Sequence, residues 1–235
     1  MNESTLRSVL GERLQAVEAR LTAACQRVGR PRGDVTLVAV TKTIPEAVAA
    51  LLPELGLLDL GENRPQELWR KAAALPTNVR WHLIGHLQRN KVERTLPLIH
   101  LMHSVDSPRL LEALEKEAER RGASLDVLLE VNASREASKG GFAPDDVLQL
   151  PEPLARLKFV HVRGLMTMAA PEDDPERCRP TFAELRTLRD QLANNLGAPH
   201  DLRHLSMGMS NDFEIAVEEG ATLVRLGSVL FEGLS

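Results

Sequence analysis

The chain has 235 residues, of which 43% are hydrophobic and 26% charged, and its formal net charge is −4 at pH 7. This length approaches the roughly 250 residues typical of a one-domain α/β barrel, and the composition is that of a protein with a sizeable core. Because the basic residues are scattered, nucleic-acid binding, which requires a concentrated positive surface, is not expected.

The first segment predicts an N-terminal helix. From Ser4 to Val28 the apolar residues form one helical stripe, and Gly29 and Pro31 end it. The opening residues lack the apolar run of a signal peptide, and no later run is long enough to cross a bilayer. The two cysteines do not have the spacing of a metal site. Since a signal peptide and a membrane span are not expected either, we expect a cytoplasmic protein with reduced thiols and no membrane contact.

Eight short apolar runs, separated by helical stretches, predict the fold. Each run is too short for a helix and too continuous for a half-exposed strand, as in parallel strands that are buried on both faces. The runs are Val35–Thr41, Leu57–Gly61, Val79–Gly85, Leu98–Val105, Leu125–Asn132, Lys158–Met168, His204–Met207 and Leu223–Phe231. Their alternation with helices predicts one α/β domain, residues 1–235, folded as a single (β/α)₈ TIM barrel with an extra N-terminal helix.

Two of the helical stretches have recognisable beginnings. Ser107 and Pro108 fit the N-cap and first position of a helix that Gly122 ends. Asn211 and Glu214 have the spacing of a capping box, which places another helix start shortly after the seventh strand.

Lys42 is the most prominent candidate for chemistry. It follows seven uncharged residues, and strand alternation places Val38, Val40 and Lys42 on the face that we assign to the barrel interior. A lysine held there loses hydration, which lowers its pKa and allows the neutral amine to attack an aldehyde. The alternative is a lysine that points outward and pairs with a carboxylate such as Glu62.

The seventh and eighth strands carry candidate anion-binding groups. Ser206 to Ser210 follows the seventh strand and leads into a helix, while Gly227 and Ser228 lie within the predicted eighth strand. Loops at these places are the usual phosphate site of such barrels. The alternative is that Gly208 only permits a tight turn and Ser210 only caps a helix.

Three further positions stay open between structural and binding roles. Arg225 points into the barrel and requires an acceptor, either Glu62 or a bound ligand. Asn63 is as good a helix cap as a ligand. His82 and His86 lie on either side of a strand end and share no helix face, so a metal pair is not expected there.

Seven motifs in order carry a resemblance to a known family. The motifs are VAVTK, GEN…QE, WHLIGHLQRNK, HSVDS, GLMTM, LSMGMSND and VRLGSVLFEG. From about residue 4 to 233 the chain resembles the YggS/PROSC family of pyridoxal phosphate homeostasis proteins, whose fold is similar to the barrel domain of alanine racemase. Two places depart from the family pattern, namely Arg64-Pro65 after GEN and Ser228 where threonine is common.

The resemblance implies a pyridoxal 5′-phosphate (PLP) site. Lys42 would hold the cofactor covalently as an internal aldimine, a Schiff base, and Arg225 would face the pyridine nitrogen. The residues that would hold the phosphate are Ser206, Gly227 and Ser228. The residues that would line the ring pocket are Asn63, His82, Ser104 and Met166.

The implied function is PLP homeostasis: a protein that buffers the cofactor or delivers it to PLP-dependent apo-enzymes. An amino-acid racemase is the first alternative, but the chain has no tyrosine and no second domain to supply the second base. Arginine opposite the ring nitrogen also discourages protonation there. A Schiff-base lysine aldolase without cofactor is the second alternative. The sequence shows no obvious exposed apolar surface for a partner subunit, so we expect a monomer. The role of Lys139 stays open.

Overall fold

The computed structural model describes residues 2–136 and 140–234. Within them, eight parallel strands pair in sequence order and the last pairs with the first, so the sheet is a closed barrel. The strands are β1 Thr36–Val40, β2 Asp59–Glu62, β3 Arg80–Leu83, β4 Leu101–Val105, β5 Leu125–Glu130, β6 Val160–Met166, β7 His204–Ser206 and β8 Leu223–Leu226. The predicted (β/α)₈ barrel is confirmed.

Helices surround the barrel, and the first of them, α1 Glu3–Arg27, precedes β1 as predicted. The other α-helices are α2 Glu46–Ala49, α3 Leu51–Glu54, α4 Pro65–Ala74, α5 Val92–Thr95, α6 Pro108–Arg121, α7 Pro144–Val147, α8 Pro151–Ala155, α9 Arg179–Ala193, α10 Phe213–Glu218 and α11 Ser228–Phe231. Short 3₁₀ helices lie at Arg32–Asp34, Arg89–Lys91, Leu96–Leu98 and Pro175–Cys178. Over the described ranges, no helix has the length and apolar character that a bilayer crossing requires.

Burial of both sheet faces explains why the strands are apolar. In β1, Leu37 and Ala39 belong to the large core between the sheet and the helices, whereas Val38 faces the barrel interior. A small apolar cluster inside the barrel is formed by Val38, Leu101, Leu128, Met166 and Leu223. The alternation that placed Val38 inside was therefore correct.

The end of β8 differs from the prediction. The strand stops at Leu226, and Ser228 begins α11, so Gly227 and Ser228 lie beyond the strand. The N–H groups of Leu230 and Phe231 both donate to the carbonyl of Gly227, which closes a helical turn. A short apolar run fits a strand or a buried helical turn equally well, and here the turn is found.

Two predicted capping residues do not cap. Helix α4 begins after Arg64, with Pro65 in its first turn, so Asn63 lies outside it. Helix α10 begins after Asp212 and not at Asn211. The departure from the family pattern at Arg64-Pro65 therefore coincides with the start of α4, where a proline is favoured because the first helical N–H has no partner.

Candidate functional site

A cavity of about 770 Å³ opens at the carboxyl ends of the strands. Its wall includes Lys42 and Asn63, which follow β1 and β2, and it also includes Arg225, Gly227 and Ser228 at the end of β8. The volume falls in the usual range of ligand sites, and the carboxyl edge is where such barrels hold their active sites. Five of the predicted site residues thus meet around one cavity.

Lys42 lies at the mouth of this cavity. Because β1 ends at Val40, Lys42 belongs to the following loop, and it lines the cavity while remaining exposed to solvent. The expectation of a dry, dehydrated amine was therefore wrong. The alternative pairing with Glu62 is not found either, since that carboxylate bonds to other groups.

Glu62 is held by Lys71 on the outer side of the barrel. Lys71 Nζ lies 2.6 Å from Glu62 Oε1 and donates to the carbonyl oxygen of Thr41 at 2.6 Å. The hydroxyl of Thr41 also donates to Glu62 Oε1, at 2.6 Å. Thr41 immediately precedes Lys42, so this buried cluster fixes the backbone that carries Lys42. No sequence motif marks Lys71, which lies in α4.

Arg225 is the buried cation of the cavity. Its Nη1 donates to Ser206 Oγ at 2.6 Å and its Nη2 donates to the carbonyl of Thr167 at 2.9 Å. Burial lowers the pKa of Arg225 to about 10, while Asp212 and Glu130 act in the opposite direction. The guanidinium therefore stays charged at neutral pH and has N–H donors left for a ligand.

Four predicted residues lie beneath the cavity wall. His82, Ser104, Met166 and Ser206 are each at most 1% exposed, and none of them lines the cavity. Met166 joins the interior apolar cluster, and Ser104 Oγ donates to the carbonyl of Gly85, which does line the cavity. Direct contact between these four residues and a cofactor stays a prediction.

Ser206 and His82 are joined through His103. Ser206 Oγ lies 2.7 Å from His103 Nδ1, and His103 Nε2 lies 2.9 Å from His82 Nδ1. His82 Nε2 in turn lies 3.0 Å from Asp59 Oδ1. Burial lowers the pKa of His82 and holds that of His103 well below its usual range, so both rings are neutral.

Backbone donors converge beside Ser228. The N–H groups of Gly227 and Val229 donate to Ser210 Oγ at 3.4 and 3.3 Å. Gly208, in the same loop as Ser210, has φ +93°, and a Cβ there would lie 2.6 Å from the Cβ of Ala216. The loop therefore uses the conformational freedom of glycine to bring the Ser210 hydroxyl against two backbone N–H groups. These hydrogen bonds are long, so the two N–H groups can donate to a phosphate in place of Ser210 Oγ.

His86 does not line this cavity. His86 pairs with Asp106 at 2.7 Å in a separate surface groove. Among the residues that the structure describes, no three histidine, cysteine or acidic side chains form a metal-binding group. Lys139 lies outside the described residues.

The groups around the cavity suit a phosphorylated aldehyde such as PLP. An amine at the mouth provides a nucleophile, and the backbone donors near Ser210 match a phosphate. The guanidinium of Arg225 offers N–H groups and no acceptor, so it matches an unprotonated ring nitrogen. The donor set therefore fits the cofactor that the sequence motifs imply.

Comparisons with known proteins give similarity over nearly the whole chain. The sequence model of the family "Alanine racemase, N-terminal domain" matches residues 13–234. The pyridoxal phosphate homeostasis protein of Aquifex aeolicus is 43% identical over 221 residues, covering 94% of this chain and 96% of that protein. Its namesake in Pseudomonas aeruginosa is 40% identical over 227 residues, covering 95% of each. The solved structure of PipY from Synechococcus elongatus, with PLP bound, is 35% identical with a TM-score of 0.80, covering 94% and 99% of the two chains.

Proposed function

The chain belongs to the pyridoxal phosphate homeostasis family, which shares the fold of the alanine racemase N-terminal domain, and on this premise we propose that it binds PLP through Lys42 and buffers or delivers it. One observation carries the proposal: an amine, a buried guanidinium and a cluster of phosphate donors border the same cavity. When bound, the cofactor supplies an aldehyde that condenses with amines.

Lys42 is the covalent attachment point in this proposal. Its exposure at the cavity mouth favours exchange, because a second amine can approach the same carbon from solvent. Enzymes that protect a reactive intermediate close their sites against water, and an open mouth serves release better than such protection. Exposure of Lys42 therefore supports a role in holding and passing on the cofactor.

The remaining residues divide by the part of the cofactor that they serve. Gly227 and Ser228, together with Ser210, take the phosphate, and Asn63 borders the ring. Arg225 faces the ring nitrogen. Buried residues that support this set from below are His82, Ser104, Met166 and Ser206.

Racemisation is not part of the proposal. That reaction requires an acid or base on each face of the bound substrate, and the chain has no tyrosine. Arg225 can only donate to the ring nitrogen, which keeps that nitrogen unprotonated, so the ring is a poor electron sink. Both features favour cofactor binding over turnover.

The proposed setting is the cytoplasm, with PLP-dependent apo-enzymes as recipients. Cys25 and Cys178 are buried and form no disulfide within the described ranges, as expected in a reducing compartment. We further propose a monomer. Among the described residues, Val28 alone is a large hydrophobic side chain with substantial exposure, so no broad apolar surface calls for a partner subunit.

Borohydride reduction tests the attachment of PLP to Lys42. Wild-type protein incubated with PLP should absorb visible light and, after reduction, gain the mass of one pyridoxyl group on Lys42. Lys42→Ala should lose both signals without a change in melting temperature. Lys116→Ala is the matched control, since Lys116 is an exposed lysine on α6, away from the cavity. A wild-type protein without the adduct, or a cavity adduct that persists in Lys42→Ala, overturns the proposal.

A further inference from the structure

A continuous hydrogen-bonded network crosses the barrel interior beneath the cavity. It begins at Asp59, which also accepts from Arg80 Nε at 2.8 Å near the amino ends of the strands, and it ends at the cavity wall. Its members come from β2, β3, β4, β7 and β8, and we call them the interior network: Asp59, His82, His103, Ser206 and Arg225. Each link measures between 2.6 and 3.0 Å.

Only one arrangement of protons satisfies every link. Arg225 has donors and no acceptor, so Ser206 Oγ accepts from it. Because Asp59 is ionised and both imidazoles are neutral, the proton of Ser206 goes to His103 Nδ1. His103 then carries its proton on Nε2 and donates to His82 Nδ1. His82 carries its proton on Nε2 and donates to Asp59. All donors in the network therefore point away from the cavity and toward Asp59.

Charges at the two ends hold this direction. Burial raises the pKa of Asp59, but the hydrogen bonds from Arg80 and His82 outweigh this effect and lower the pKa to about 2. Asp59 is therefore an acceptor at neutral pH. Arg225 is a cation that donates to Ser206 Oγ and to the carbonyl of Thr167. In the described part of the chain, no carboxylate lies within ion-pair distance of the Arg225 guanidinium.

From this geometry we propose that Asp59, His82, His103 and Ser206 are positioning residues that hold the Arg225 guanidinium in one orientation against the ring nitrogen of a cofactor in the cavity. The inference rests on the proposed function, because it assigns these residues to the same PLP site. Ser206 thereby acts through Arg225, which differs from the phosphate contact that the family resemblance implies for it.

The interior network sets the orientation of the Arg225 guanidinium and does not change its charge. A guanidinium that is buried without a fixed acceptor rotates to find one, and each rotation moves the remaining N–H groups away from the ring. His103 accepts the Ser206 proton and thereby turns the lone pairs of the Ser206 hydroxyl toward Arg225, so without His103 this hydroxyl is free to rotate. Loss of His103 should therefore weaken cofactor binding although His103 itself does not line the cavity.

A purely structural network would behave differently. If these side chains served only to satisfy one another, breaking the network would lower stability and leave the bound cofactor unchanged. The affinity for PLP and the position of its visible band distinguish these cases, since neither depends on stability once the protein is folded.

PLP titration of the variants His103→Leu, His103→Asn and Ser206→Ala tests the positioning role. His103→Leu and Ser206→Ala should each raise the Kd for PLP at least about tenfold and shift the visible band, because the acceptor of the Arg225 guanidinium is removed in Ser206→Ala and loses its fixed orientation in His103→Leu. His103→Asn should recover much of the affinity, since its Oδ1 lies near the position of Nδ1 and accepts from Ser206. His100→Gln is the control, because His100 is exposed and meets the His82 ring only edge-on.

A second readout needs no cofactor. In ¹⁵N-histidine NMR spectra of protein freed of PLP, His82 and His103 should both be neutral at pH 7, with the proton on Nε2. If His103→Leu does not fold, the PLP titration of Ser206→Ala and these NMR spectra test the positioning role. Unchanged Kd and band in folded Ser206→Ala, or a proton on Nδ1 of His103, overturns the positioning role. Wild-type protein that binds no PLP overturns the proposed function instead, a result that is distinct from either of these.

Discussion

Lys71 and Glu62 bring opposite charges into a space that solvent does not reach. Their side chains are 1% and 0% exposed, and Glu62 Oε2 has no hydrogen-bond partner among the described residues. Removing two charges from water costs several kcal/mol per ion, and their attraction roughly offsets that cost. The loss of one partner should therefore be worse than the loss of both.

We expect Lys71→Met to lower the free energy of unfolding by about 3–5 kcal/mol, because it leaves Glu62 charged and buried. The double variant Lys71→Met/Glu62→Leu should recover most of that loss. Urea unfolding followed by circular dichroism measures both. The control is Arg156→Ala, whose ion pair with Glu152 is exposed and should contribute no more than about 0.5 kcal/mol. A double variant as unstable as the single one would contradict the prediction.

Gly208 takes a backbone conformation that favours glycine. Its φ of +93° and the 2.6 Å approach of an added Cβ to Ala216 leave no room for a side chain. Gly208→Ala should cost about 1–3 kcal/mol and weaken PLP retention, since the same loop carries Ser210. Gly33→Ala is the control, because no atom lies within 4 Å of an added Cβ there. Thermal melts and PLP titration give both effects, and equal behaviour of the two variants would refute the explanation.

Among the elements, α1 lies outside the repeating β/α pattern and packs against α10 and α11. Its buried face includes Leu10, Val17 and Leu21, each at most 1% exposed. Leu21→Ala removes buried apolar volume between α1 and the barrel and should cost about 2–5 kcal/mol in urea unfolding. Gln15→Ala, on the exposed side of α1, should have little effect. A negligible loss for Leu21→Ala would mean that α1 contributes nothing to folding.

The sequence predicted elements better than it predicted their ends. Both faces of each strand are buried, so the apolar runs stand out, but the same burial continues into the loops and hides where a strand stops. Val229, Leu230 and Phe231 therefore looked like an extension of β8 although they form α11. Lys42 was wrongly placed in the dry interior for the same reason.

The site was predictable where chemistry and strand ends coincide. Lys42 and Arg225 were found because a charge interrupts or follows an apolar run, and both line the cavity. Strand alternation does not predict which inward residues meet across the barrel, because this depends on the stagger of all eight strands. The contacts of His103 with His82 and Ser206 required the folded barrel, and so did the partner of Glu62.

The barrel interior is unusual in holding several neutral imidazoles. TIM barrels commonly fill this space with layers of branched apolar side chains. Here the apolar cluster around Val38 shares it with the interior network, and His204 lies at the β7 edge, hydrogen-bonded to Thr222. An imidazole kept neutral by burial connects folding to pH, because the unfolded chain is free to protonate it.

Stability should therefore fall on acidification. Burial lowers the pKa of His204 to about 4 and lowers those of His82 and His103, whereas an unfolded histidine has a pKa of about 6.5. As the pH falls below about 6.5, the unfolded chain binds protons that the folded protein does not, so the free energy of unfolding decreases toward about pH 4. Above about pH 6.5 these groups add no slope. Asp59, with a pKa of about 2, adds its own loss only below about pH 4.

Urea unfolding from about pH 8 to about pH 4.5 measures this dependence. His204→Asn should flatten the decrease below about pH 6.5, because it removes one group that protonates only in the unfolded chain. His86→Asn is the control, since the His86 side chain is 66% exposed and lies outside the barrel interior. A wild-type protein that gains stability on acidification, or a His204→Asn slope equal to that of wild type, would show that His204 is already protonated when folded.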